Sequence, residues 1–104
     1  MKVFDAHSDI WSDVTAHRLA GGTGVLRRRH MDRLAKGGVE GSIFVIWVDP
    51  PYDAAPMART RDIMAAVRAE LGEDGAVTVV RTYGEMMAAR AAGKFYVFIG
   101  IEGA

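Results

Sequence analysis

Two stretches of the sequence, 42–48 within a longer run at 39–48 and 95–101, are apolar on both alternating faces. Successive strand residues point to opposite faces, so a strand of this kind has to be covered on both sides. A parallel sheet with flanking helices meets that demand, whereas a half-solvated antiparallel sheet alternates apolar and polar residues. Shorter strand signals lie at 2–7 and at 77–80, the second suited to a sheet edge.

The segments between are helical in pattern. Met57, Thr60, Met64, Val67 and Leu71 recur at steps of three and four, with Arg59, Asp62, Arg68 and Glu70 on other faces. The spacing predicts an amphipathic helix closed by Gly72 and the Asp74-Gly75 turn. Thr82 and Glu85 have capping-box spacing, and the helix they open runs through Met86, Met87 and Ala89 to a stop at Gly93. Shorter helices are expected at about 9–17 and 30–36, the latter ending at Gly37-Gly38. Strand and helix alternate, which argues for an α/β class built of right-handed βαβ units with three to four parallel strands. The 104 residues suffice for one core, so residues 1–104 are expected to form one unit.

Thirteen Lys and Arg balance thirteen Asp and Glu. A neutral chain lacks the basic excess that nucleic acid or an anionic membrane usually requires, so neither is an expected partner. With no cysteine there is neither a disulfide framework nor a thiol nucleophile, a composition that fits the cytoplasm. The N-terminus turns acidic at Asp5 without a signal-like stretch, and the apolar runs are strand-sized. They fall short of the roughly 20 residues a membrane helix needs, so no transmembrane segment is expected.

The chemistry concentrates at two strand ends. Asp5-Ala6-His7-Ser8-Asp9 closes the first strand. If the extended backbone continues through it, His7 and Asp9 share a side and can ligate one zinc-like ion. Asp5 then lies one step deeper, where it can orient His7 as an acceptor. The plainer reading is a helix N-cap at Ser8 or Asp9 beside a surface histidine. Glu102 follows the apolar strand 95–101 directly. That is where barrel enzymes place catalytic side chains, though it is also where a strand meets solvent.

Taken together, Asp5-x-His7-x-Asp9, Gly37-Gly38-Val39 and Ile99-Gly100-Ile101-Glu102-Gly103 resemble the membrane (renal) dipeptidase family across essentially the whole chain. These are binuclear zinc peptidases of the amidohydrolase-like TIM-barrel group, many of whose other members carry H-x-H in place of H-x-D. The resemblance implies that His7 and Asp9 bind one zinc and that Glu102, the catalytic carboxylate, bridges two. It implies a dipeptide substrate, attacked by a metal-bridging hydroxide. The family's other ligands, two histidines and an aspartate, come from later strands.

A complete (β/α)8 barrel needs about 250 residues, so this chain is expected to be the N-terminal part of one and inactive alone. The rest of the barrel, or another chain, would complete it, and strand 95–101 is expected to leave an open edge that promotes oligomers or larger assemblies. Two other readings compete: a non-catalytic α/β domain that binds or self-assembles, and part of a different amidohydrolase-like metallohydrolase. Among the remaining features, Arg27-Arg28-Arg29-His30 reads as a solvated loop and Gly21-Gly22-Thr23-Gly24 as a flexible turn. Residues 47–53 read as a pocket lining or a rigid proline turn. Trp11 reads as core, His17 as a surface or packing residue, and Met57, Met64 and Met86 as core filler.

Overall fold

The two-faced apolar segments do form the centre of a sheet. The computed structural model describes residues 2–102. Its strands are β1 (Val3–Ser8), β2 (Val39–Ile46), β3 (Val77–Val79) and β4 (Phe95–Ile101), and every pairing is parallel. Their order in space is β1-β2-β4-β3. The later strand β4 thus lies inside the sheet, with β2 on one side and β3 on the other.

The connections are helical: α1 (Ile10–Leu19), a π-helical turn (Arg27–Met31) running into α2 (Asp32–Lys36), α3 (Pro56–Glu73) and α4 (Tyr83–Ala91). Trp11 and Val14 of α1 and Ile63, Ala66 and Val67 of α3 pack with Phe44, Ile46, Phe95 and Val97. Full burial of a side chain of this kind stabilises the fold by about 1.5–3 kcal/mol. The alternate residue Tyr96 packs instead with Val80 and Ala89, with Met86 and Phe98 against them. So α4 covers the face opposite α1 and α3. Handedness explains this: the chain advances from β1 to β2 to β3, then steps back to β4, and a right-handed crossover that reverses direction must put its helix on the other face.

Helix ends follow their chemistry. Thr82 Oγ1 accepts the Glu85 N–H at 3.1 Å, while the Glu85 carboxylate takes the N–H of Arg81 at 2.8 Å, one residue before the expected one. Gly93, at φ +71°, supplies the left-handed residue after α4 that a side chain would resist.

Several expectations are corrected. The expected loop 27–30 is helical, because its cations find acids: Arg27 meets Asp74 at 3.0 Å and Arg29 meets Asp13 at 2.8 Å. Met57 is exposed, not core. Arg59 and Glu70, expected on outward faces of α3, are buried. Glu70 is inside because it has donors there: it accepts the Leu26 N–H at 2.6 Å and pairs with Arg18. Glu73 beside it takes the Gly24 N–H at 3.0 Å and both Arg18 nitrogens at 2.9 and 3.1 Å. Arg18, and then the Gly24 N–H, hold the Glu73 carboxyl below the usual range. This polar bolt ties the glycine turn and α1 to the end of α3.

The expected open edge of β4 is half taken. β3 pairs with Phe95, Tyr96 and Val97, and no described strand pairs the far side of Phe98–Ile101. The terminal strands of the sheet are β3 and β1, and on β1 Val3 and Phe4 are exposed.

Candidate functional site

β1 is irregular where its chemistry begins. From Asp5 to Ser8 there are three steps along β1, against two from Ser42 to Phe44 on β2. One extra residue therefore bulges out of β1, a device that re-aims side chains near active sites. Asp5 Oδ1 accepts the backbone N–H of His7 at 3.2 Å. Asp5 thus orients His7 through the main chain of the bulge, where the sequence pattern suggested the imidazole.

His7 Nε2 stands 3.4 Å from Glu102 Oε2. Glu102 is anchored by its own N–H, which donates to Ile46 O at 3.0 Å. β1 and β4 flank β2, so the two side chains meet over the end of the strand between them. Side chains from alternate strands share layers in this way inside a parallel barrel. Both are about half exposed (59% and 48%), and an exposed ion pair contributes at most about 1 kcal/mol to stability. The separation exceeds the 2.7–2.9 Å of a strong charged hydrogen bond. It is short enough for both side chains to reach one ion bound at about 2 Å.

Asp9 is less well served by the alternation argument. The strand ends at Ser8, and Asp9 (φ −104°, ψ 30°) takes the N-cap position of α1 without a side-chain capping bond. Neither the extended geometry nor the capping role expected of it is present. Among the described residues no three His, Cys, Asp or Glu side chains form a group able to hold a metal ion. Catalytic zinc sites use three protein ligands, so the described donors fit a metal only as a half-site.

Other polar clusters serve the fold. His30 Nε2 lies 2.7 Å from Asp13 Oδ2, and its Nδ1 lies 3.2 Å from Arg33 Nη2. With both ring nitrogens engaged, His30 has none left for a ligand. His17 is 3.5 Å from the same aspartate. A cavity of about 460 Å³ opens near the N-terminal ends of the strands, away from His7 and Glu102. Two of its cations, Arg27 and Arg90, are already paired, with Asp74 and Glu40.

Sequence reasoning missed Arg59. It is 4% exposed, its Nε donates to Asp49 Oδ1 at 3.2 Å, and its guanidinium lies 3.9 Å from the Tyr52 ring centroid. The signal was its spacing: Arg59, Ile63, Ala66, Val67 and Glu70 are one buried stripe of α3.

No sequence-family profile and no curated protein sequence matches the chain. Solved structures do. The chain is similar to dipeptidase AC, a metallopeptidase of family M19, with a TM-score of 0.80 and 18% identity, covering 100% of this chain and 37% of that one. It is similar also to a metallopeptidase from Rhodobacter sphaeroides liganded with a phosphinate mimic of the dipeptide L-Ala-D-Ala. There the TM-score is 0.79 and the identity 19%, over 99% of this chain and 38% of that one. The fold is therefore that of part of a dipeptidase-type metallopeptidase, a section of parallel α/β barrel as the sequence led one to expect. The chain spans less than two fifths of the length of either neighbour.

Proposed function

We propose that the chain supplies the opening βα units of a zinc-dependent dipeptidase, with His7 and Glu102 as two of its metal ligands and Asp9 as a third. The observation that carries the reading is the convergence of His7 and Glu102 at 3.4 Å over the end of β2. The fold of the two metallopeptidases supports it, and the dipeptide mimic in one of them favours a dipeptide over other amide substrates. Zinc, when bound, would polarise the scissile carbonyl and favour hydroxide over water at neutral pH. In this chain Asp5 fixes the bulge that aims His7, and Ile46 fixes the backbone of Glu102. The remaining ligands belong to the rest of the barrel or to another chain, and the cytoplasm is the proposed location.

The test is to express the chain within its full reading frame and to assay dipeptide hydrolysis and zinc content. Glu102→Gln should lower hydrolysis by more than about 100-fold, because changes beyond the ligands themselves already cost about 10–100-fold in metal sites. His7→Ala should chiefly lower the zinc content. Wild-type hydrolysis with full zinc in both variants would remove the reading.

A further inference from the structure

The loop between β2 and α3 begins at the site. Ile46, the last residue of β2, accepts the N–H of Glu102, and Trp47 follows it, 39% exposed. Arg59 reaches back to this loop from the first turns of α3. Its Nε holds Asp49, its guanidinium lies over Tyr52, and its Nη1 is buried without a partner. A buried guanidinium with an unsatisfied nitrogen is costly, and an aliphatic residue would fill the stripe of α3 without that cost. What arginine alone adds is a directional grip on two loop residues at once, through its planar fork and its flat face.

We propose that Arg59 is a positioning residue: through Asp49 and Tyr52 it holds residues 47–55 as a preset wall at the Glu102 end of the sheet. The functional part of this rests on the dipeptidase reading, in which that end faces substrate. The mechanical part stands on the contacts alone. A loop gripped by a buried cation is ordered before any ligand arrives, unlike a lid drawn from the least stable parts of a fold.

Chymotrypsin reads both parts of the chain at once. Trp47 reports the loop, and Trp11, fully buried in the core, reports global opening. Cleavage after Trp47 should rise by about tenfold or more in Arg59→Ala and in Asp49→Asn, with cleavage after Trp11 unchanged, since cleavage follows the population of the open form. Arg59→Lys, which keeps the charge beside Asp49 but loses the flat stack, should fall between. Unchanged Trp47 cleavage in both Arg59→Ala and Asp49→Asn would overturn the proposal. Parallel rises at Trp47 and Trp11 would overturn it too, because Arg59 would then serve the whole fold. In the full reading frame, the same variants should raise KM for dipeptides more than they lower kcat. Loop release without any dipeptide hydrolysis in the wild type would leave the clasp standing and remove only the dipeptidase reading.

Discussion

The ring of Tyr96 lies where a side chain on Gly41 would be: a Cβ built at Gly41 runs into three atoms of that ring. The two residues are register partners on β2 and β4, and Phe4, the partner of Gly41 on β1, stacks with the same ring at 6.0 Å between centroids. Gly41→Ala should therefore displace a buried aromatic and cost about 1–3 kcal/mol in urea unfolding, as overpacking does. Gly72→Ala is the control. Nothing lies within 4 Å of its Cβ position in α3. It should be neutral or gain up to about 1 kcal/mol through helix propensity. Equal effects at the two sites would mean that Tyr96 does not occupy this place.

The polar bolt predicts a second asymmetry. Glu70→Ala strips the partner from the Leu26 N–H and leaves Arg18 with Glu73 alone. The expected loss is about 2–4 kcal/mol, the range for breaking a buried hydrogen-bonded charge. Glu70→Gln keeps an acceptor for Leu26 and should lose less. A Glu70→Ala variant as stable as wild type would show that the bolt does not hold the turn.

How far the sequence carried these readings differs by residue. The strands at 39–46 and 95–101 were legible because apolarity on both faces admits few other structures. Strand order was not, since adjacency is decided by the reversal at β3, which leaves no local pattern. The extended geometry expected through Asp9 was not legible either: alternation assumes a regular ladder, whereas β1 bulges between Asp5 and Ser8 and ends before Asp9. Arg59 and Glu70 were placed outward because charge usually marks solvent. Glu70 is inward because Arg18 and Leu26, distant in sequence, supply its partners, and Arg59 because the loop just before α3 folds back to offer Asp49 and Tyr52. His7 and Glu102 were legible as candidates from position at strand ends, and their meeting required the sheet to be built.

Acid should weaken the fold through Asp13. The Arg29 guanidinium, joined by His30 and opposed by burial, holds its carboxyl below the ordinary aspartate range. The unfolded chain therefore binds a proton that the folded one refuses, so stability rises with pH through that window. The contribution is fully present above the unfolded value of about 4 and is lost as pH falls through the lower folded value. Asp13→Asn should lower the urea midpoint at pH 7 and lower it far less near pH 2. A constant difference between the two proteins across that range would exclude the ion pairing as its source.

The chain by itself should associate. β1 presents an unpaired edge with Val3 and Phe4 exposed, and Phe98–Ile101 lack a neighbour among the described strands on one side. Open parallel edges are templates for another chain. Sedimentation of the purified 104-residue polypeptide should show concentration-dependent species above monomer. A monodisperse monomer with one cooperative thermal transition would make it a self-sufficient domain, and the proposal that it needs the rest of a barrel would have to be given up.

The place of β4 between β2 and β3 has a consequence for how the chain is made. A ribosome releases β1, β2 and β3 before β4, yet β3 touches the sheet only through β4. Until residues 95–101 emerge, β3 has no strand to join, and α3 is held at its far end only by the bolt to Arg18, Gly24 and Leu26. The last strand delivered is the one that locks the other three, so a polypeptide cut before Phe95 should keep a two-stranded β1–β2 unit and lose the order of everything from β3 onward.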